Sequence, residues 1–301
     1  MKGFYILRQF PHMLALFAPP TIAILFFYLD RPTDELSAAL ESVFGYMIAV
    51  LSFLLAFQLN AALASNADGI RHFNGMCSTL VVMSIGICAV PFEKNKKNEE
   101  LMQNIRHLSA CLPGLVKWHF RHEVEVDKLY VRLSPDGTYI YLKDVNPKIY
   151  CKIRKYAETL NIFETVMYEL GSNLELLTGE KSSTLKSWYK VQDEWKLIND
   201  VFKAEDPVMV SWFMNVCMVA FIILLPVQFI SLTLIWNMVC SFSVSYFFLG
   251  LWIASRRIDN PFVENAGSVF PTVSEDAANV NKDINSVFDG WFIADKFICK
   301  Y

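Results

Sequence analysis

A run of 26 residues without Asp, Glu, Lys or Arg, between Glu41 and Asp68, most constrains what this chain can fold into. About twenty apolar residues in a helix cross the hydrocarbon core of a bilayer, at roughly 1.5 Å per residue. The run is not evenly apolar, because amides gather toward its far end, at Gln58 and Asn60. A helix that only contacts lipid does not need amides there, whereas a helix that lines a wet passage does. The sequence therefore predicts a pore-lining membrane helix over residues 43–67.

The composition is typical of a membrane protein with a sizeable water-exposed part. Of the 301 residues, 54% are hydrophobic and 19% are charged, and the mean hydropathy is +0.31. The net charge of −3 and the lack of an arginine-rich patch argue against a nucleic-acid partner. The seven cysteines are scattered without a C-x-x-C pair, so we expect neither a disulfide framework nor a metal site, and we predict no cofactor.

Other uncharged runs predict the remaining spans. The run at residues 9–29 is too long for a signal peptide and has no A-x-A site after it, so it is expected to be a retained helix, kinked at Pro19-Pro20. The 49-residue run from 207 to 255 is long enough for two spans. We place these near 208–225 and 233–254, with the turn around Pro226 to Ser231.

A further run at residues 72–92 is apolar enough to cross, but the charge distribution argues against it. If it does not cross, every Lys and Arg except Arg31 lies on one side, which the positive-inside rule identifies as the cytoplasm. If it crosses, Lys94, Lys96 and Lys97 lie outside, directly at its end. We therefore predict four spans with both termini cytoplasmic, and residues 72–92 as a continuation of the second helix into the cytoplasm.

These spans divide the chain into four parts. The predicted domains are transmembrane helices 1 and 2 (1–67), a mainly helical cytoplasmic domain (68–206), transmembrane helices 3 and 4 (207–255) and a cytoplasmic C-terminal segment (256–301).

Periodicity predicts the elements of the cytoplasmic parts. An apolar helical pattern from Asn98 onward is expected to break at Pro113-Gly114, and helices are expected over 147–177 and 183–204. Alternating tyrosines on either side of a Pro-Asp-Gly turn predict a β-hairpin over residues 128–143. Residues 279–298 are expected to form a closing helix.

The sequence contains no constellation typical of an enzyme. His119 and His122 do not match the zincin order, and Ser183-x-x-Lys186 lacks the partner motifs of acyl-transfer enzymes. None of the predicted spans contains an acidic residue, Lys or Arg, whereas ion-coupled pumps usually carry one. Passive conduction is therefore favoured over pumping. A membrane-anchored scaffold that conducts nothing is the alternative from another class.

The predicted pore helix carries a stripe at steps of four, four, three and four, formed by Ala49, Phe53, Phe57, Asn60 and Ala64. If copies of the helix surround an axis, the two phenylalanines form successive rings, and such a hydrophobic constriction can gate by dewetting. The positive edges of phenyl rings tolerate an anion better than methyl groups do. Taken alone, the periodicity fits ordinary helix packing better than it fits a pore.

Two stretches carry a resemblance to a known family. Residues 57–70, FQLNAALASNADGI, are similar to the pattern F-R-N-N-A-A-Y-D-R-W-W-E-G-R, and Asp259-Asn260-Pro261-Phe262 is similar to E-D-P-F. With the four-span order and Leu225-Pro226 between spans three and four, the sequence resembles the bestrophin family, in its shorter bacterial-type branch. The matches to the first pattern are Phe57, Asn60, Ala61, Ala62 and Gly69.

The resemblance implies an all-α membrane protein that forms a homopentamer in the cell membrane, with a central ion pathway lined by the second helices. It implies a channel for chloride and other small anions, whose partners are these ions, the lipid bilayer and further copies of the chain. A cation-selective channel is the alternative, as in some bacterial-type relatives. The implied residues are the neck (Ala49, Phe53, Phe57), the inner end of the pore (Gln58, Asn60, Ala64) and a structural motif after the last span (Asn260, Pro261, Phe262).

Departures from the family pattern bear on ion binding. Gln58 stands for the arginine after the neck, and residues 64–67 replace Asp, Arg and paired Trp, which removes charge and leaves the selectivity open. Eukaryotic members clasp calcium with acids after the N-P-F motif. Here only Glu264 follows it, which leaves too few hard oxygen ligands, so we expect no calcium clasp.

Overall fold

The computed structural model describes residues 20–25, 28–29, 34–90, 95–120, 126–133, 138–157, 161–179, 182–203, 208–258 and 273–298. Within these ranges the chain is mainly helical, and the one sheet is a two-stranded hairpin, as predicted. The helices are α1 (Asp34–Ala89), α2 (Lys96–Phe120), α3 (Leu142–Val145), α4 (Pro147–Ala157), α5 (Ile162–Thr178), α6 (Ser183–Lys203), α7 (Val208–Gln228), α8 (Leu234–Ile258) and α9 (Val273–Ile298). Residues 20–25 and 28–29 are also helical, a 3-10 turn covers Val126–Lys128, and the strands are β1 (Tyr130–Leu133) and β2 (Tyr139–Tyr141).

Helix α1 is a single helix of 56 residues. No proline lies within this helix, and the nearest ones in the sequence are Pro32 and Pro91, so no residue in its interior lacks a backbone N–H donor. At 1.5 Å per residue it is about 84 Å long, whereas the hydrocarbon core of a bilayer is about 30 Å thick. A helix of this length is much longer than a membrane is thick.

The chain forms two compact units. The first unit comprises Met1–Ala64 and Ala204–Asp259, and the second comprises Ser65–Lys203 and Asn260–Tyr301. Among the described residues, two helices are long and apolar enough to cross a membrane, α1 over Ala38–Ala89 and α8 over Leu234–Ile253, and α7 contains a shorter apolar stretch at Trp212–Gln228. The count of four spans, the domain boundaries and the sides of the membrane stay predictions, and most of the first predicted span lies outside the described residues.

The core of the first unit forms where α1 meets α7 and α8. The Phe44 ring stacks on Phe221 with centroids 5.1 Å apart, and Phe221 contacts Phe248 at 4.9 Å. Leu51 and Leu55 of α1 are buried in the same cluster. The aromatic and aliphatic residues of three helices therefore close this core.

The turn between α7 and α8 differs from the prediction. Pro226 lies inside the last turn of α7, and the chain reverses at residues 229–233. Asn237 Nδ2 donates to the Pro226 carbonyl over 3.0 Å, and Ser241 Oγ donates to Asn237 Oδ1 over 3.0 Å. A carbonyl at the end of a helix has no intrahelical partner. The Pro226 carbonyl also accepts from the Phe229 amide over 3.2 Å, so the Asn237 side chain of α8 is a second donor to it.

The second unit is built around α2, which packs against α5, α9 and β1. The C-terminal half of α1 contributes Phe73, Met76, Leu80 and Met83 to the same core, each fully buried. A continuous apolar face on α1 therefore becomes part of a core closed by other helices.

The break predicted at Pro113-Gly114 is wrong, because α2 runs through both residues. Gly114 instead provides room for β1, since a Cβ there would lie 2.6 Å from Cε1 of Tyr130. The Asn281 side chain of α9 donates to the Ala110 carbonyl over 2.9 Å, close to where the proline interrupts the helix ladder. Helix α2 therefore continues through the proline in contact with both β1 and α9.

The single helix predicted over 147–177 is also wrong, since α4 ends at Ala157 and α5 begins at Ile162. Asn161 caps α5, because its side-chain Oδ1 accepts from the Phe163 amide over 3.0 Å. Glu164 stands three residues after this cap, which completes a recognisable start signal. Apolar residues keep their helical spacing across the junction, so the pattern did not indicate the boundary.

The hairpin joins β1 and β2 in antiparallel register, with Tyr130 opposite Tyr141 and Leu133 opposite Tyr139. The register shifts between Tyr130 and Arg132, which indicates a bulge. The Pro-Asp-Gly turn falls outside the described residues. Helix α9 begins at Val273, six residues before the predicted start at 279.

Candidate functional site

In the first unit, α1 has two unlike faces. Leu51 and Leu55 are 1% and 4% exposed, whereas Phe53 and Phe57 are 71% and 63% exposed. Two large aromatic side chains this exposed, one turn apart, form an apolar strip on the surface of the first unit. This strip is open to lipid, to another subunit or to a pathway between subunits.

The predicted neck and inner-end residues mostly share this strip. Ala49, Phe53, Phe57, Asn60 and Ala64 are all exposed, and helical spacing brings them to one face. Gln58 lies off that face, half-buried, and its Oε1 is buried with no hydrogen-bond partner among the described residues. The assignment of these six residues to a pore stays a prediction.

Helix α8 buries a line of small polar residues and exposes several large apolar ones. Asn237, Ser241 and Ser245, spaced four apart, are at most 5% exposed. Trp236, Phe242 and Phe247 are among its exposed side chains. Small polar residues between helices and large apolar residues outside are the arrangement expected of helices surrounded by lipid.

In the second unit, the inner part of α1 carries a titratable pair that the sequence did not indicate. His72 Nδ1 and Glu194 Oε2 of α6 are 2.7 Å apart, and both side chains are partly exposed. Gly75, one turn along α1, makes room for the carboxylate, because a Cβ there would lie 3.1 Å from Glu194 Oε1. These residues are 122 positions apart, so no local pattern could have found the pair.

A polar network fixes α9 to the rest of the second unit. Asn281 and Asn285 both donate to the Val131 carbonyl, over 2.7 and 3.0 Å. Arg106 donates to Asn285 Oδ1 over 3.0 Å and to Asp289 Oδ1 over 2.6 Å. Asn at i and i+4 beside apolar Ile284 and Phe288 is the sequence signal that could have indicated a buried network. The neighbouring His107 is buried, and this burial, with a smaller effect from Arg106, lowers the pKa of His107 to about 4, so its imidazole is neutral at pH 7.

The remaining predicted candidates are not brought together. Asn260, Pro261 and Phe262 lie outside the described residues, as does His122. His119 packs edge-on against Trp195 with centroids 5.2 Å apart, so it is part of an aromatic cluster. No group of three or more His, Cys, Asp or Glu suited to a metal occurs within the described ranges.

Comparison with solved structures shows what this architecture is similar to. One variant of a bacterial bestrophin homolog from Klebsiella pneumoniae superposes with a TM-score of 0.66 at 11% identity, covering 94% of this chain and 99% of that one. A second variant of that homolog gives 0.64 at 12% identity, covering 91% and 97%. The chain has a bestrophin-like fold. A variant described as a membrane protein gives 0.65 at 12% identity, covering 93% and 98%.

The bestrophin-like fold covers almost the whole chain, so the resemblance noted from two short motifs is confirmed at the level of architecture. No model of a protein family matches the sequence, and the curated proteins give no match. At 11–12% identity the side chains have diverged while the helix arrangement is shared.

Proposed function

We propose that the protein is a membrane ion channel, in which α1 helices of five identical subunits surround a central pathway. The observation that carries this proposal is the exposed pair Phe53 and Phe57, on a helix whose opposite face is buried against α7. The bestrophin-like fold supports it, because the K. pneumoniae protein is named as a bestrophin homolog. The outward apolar side chains of α8 support a lipid surrounding.

In the proposed channel, Ala49, Phe53 and Phe57 form a hydrophobic neck. A ring of phenyl groups repels water, so the neck conducts only when it widens or wets. Asn60 and Ala64 continue the exposed face inward, and the amide of Asn60 offers a hydrogen-bond donor to a partly dehydrated anion. Gln58 stands beside this face as a polar neighbour of the neck.

The proposed ions are chloride and other small anions. The proposed channel has four spans and both termini in the cytoplasm of the cell. The Asn260-Pro261-Phe262 segment, just after the last span, has a structural role in this proposal. Conduction is passive, because no predicted span contains an ionisable acid or base that could bind a coupling ion.

The test is conduction by purified protein in planar bilayers, combined with the oligomeric state in mild detergent. Wild type should be pentameric and should conduct, and replacing Phe53 and Phe57 together by Ala should change the open probability or rectification at least about threefold. Phe247→Ala is the matched control, because Phe247 is 61% exposed but lies on α8. It should leave gating unchanged.

Two results would contradict the proposal. Well-folded pentamers that stay electrically silent would exclude a channel, and a monomer or dimer would favour a scaffold, since no central pathway could form. Reversal potentials in a salt gradient distinguish an anion channel from a cation channel.

A further inference from the structure

The exposed face of α1 does not end at Ala64. Helix α1 is unbroken, and Ala67, Arg71, Asn74, Ser78, Val82 and Ile85 are exposed further along it. Their steps of four, three, four, four and three continue the steps of the predicted pore face. At 3.6 residues per turn, such a series stays on one side of a helix.

Arg71 is the only charged residue in this exposed series from Ala49 to Ile85. Its side chain is 74% exposed, and it approaches Asp68 at 3.8 Å with i, i+3 spacing. Asp68 is 51% exposed and points about 60° to one side of Arg71 around the helix. An exposed pair at this distance gains little energy, so it leaves the guanidinium available to an ion.

The ionisable pair of His72 and Glu194 lies on a different side of this part of α1. His72 is rotated by about 100° from Arg71 and is held by the Glu194 carboxylate at 2.7 Å. Glu194 therefore has a partner on the flank of the helix, over Gly75. The centre of the exposed face carries the positive charge of Arg71.

We propose that Arg71 determines the preference of the pathway for anions, through a ring of guanidinium groups on the cytoplasmic side of the hydrophobic neck. This inference rests on the proposed channel. Rings of charged side chains select ions of opposite charge, and a guanidinium stays protonated at any physiological pH. The neck carries no charge, so its role is to control whether water fills the pathway. Arg71 controls which ion concentrates in the part of the pathway that follows the neck.

The test is the chloride-to-sodium permeability ratio of the full-length protein in planar bilayers, from reversal potentials in a NaCl gradient. Arg71→Gln should lower the ratio at least about threefold, and Arg71→Glu should lower it further and invert the preference. Asp68→Asn should raise the ratio, because it removes the flanking negative charge. Lys155→Gln on α4 is the control, since it removes one exposed positive charge outside α1 and should leave the ratio unchanged.

The outcomes separate this inference from the channel itself. A conducting Arg71→Glu pentamer with the wild-type ratio would overturn the role of Arg71 and leave the channel intact. Silent, well-folded wild-type pentamers would overturn both. Because Arg71 is exposed, both variants should elute and melt like wild type, and a loss of the pentamer in Arg71→Gln would instead assign Arg71 to subunit packing and overturn the inference.

Discussion

Helices α2 and α8 are each 25 residues long, yet they distribute their side chains in opposite ways. In α2, Ile105, Leu108 and Leu112 are fully buried, while charged residues near its start face water. In α8, Asn237 and Ser241 are buried, while large apolar residues such as Trp236 and Phe247 are exposed. This difference is the one that the proposed channel requires, with water around the second unit and lipid around the first.

The same contrast divides α1. Between residues 42 and 64 it has no charged residue and exposes phenyl rings, whereas beyond residue 65 apolar side chains such as Phe73 and Met76 enter the core of the second unit. Hydrophobic burial stabilises the second unit in the usual way. In lipid that driving force between helices is absent, so in the proposed channel close packing and hydrogen bonds hold the first unit together.

Leu112→Asp should have the largest effect, because it places an unpaired carboxylate in the closed core beside α2. We expect a loss of more than about 4 kcal/mol, enough to prevent folding of the second unit. The measurement is thermal unfolding of full-length protein in detergent, with Gln103→Asp at an exposed position of α2 as control. Equal behaviour of the two variants would show that the face of α2 assigned to the core is wrong.

Phe242→Lys tests whether the exposed side of α8 contacts lipid. If the exposed side of α8 meets lipid, a lysine near the middle of the helix costs about 2.5 to 3.5 kcal/mol on insertion. Membrane-integrated protein should therefore decrease in a cell-fractionation assay. Gln103→Lys makes the same change on the exposed face of α2 and should leave integration unchanged. Normal integration of Phe242→Lys would argue that α8 faces water.

Asn237→Leu should have the smallest effect. It removes the 3.0 Å donor to the Pro226 carbonyl and the acceptor for Ser241. Hydrogen bonds between membrane helices contribute about 0.6 to 2 kcal/mol, so the melting temperature in detergent should fall modestly. Ser243→Ala, at an exposed position on the same helix, is the control. A stabilised Asn237→Leu variant would contradict a structural role for this buried polar pair.

Local sequence patterns predicted much of the fold. Uncharged runs predicted α7 and α8, alternating tyrosines predicted the hairpin, and motif matches predicted a bestrophin-like architecture. The errors at Pro113 and at residues 158–161 have one cause, since helix continuation there depends on packing and capping rather than on period. Asn281 reaches the Ala110 carbonyl across 171 residues, a contact that no window of sequence contains.

For the candidate site, residue spacing is enough to predict that Ala49, Phe53 and Phe57 share one face of a long helix, because spacing fixes direction around a helix axis. The sequence did not indicate that this face is exposed while Leu51 and Leu55 are covered by α7, which the folded chain shows. Both faces are apolar, so composition could not distinguish them. A face is buried only where another surface covers it, and the surface that covers α1 comes from residues more than 150 positions later in the chain.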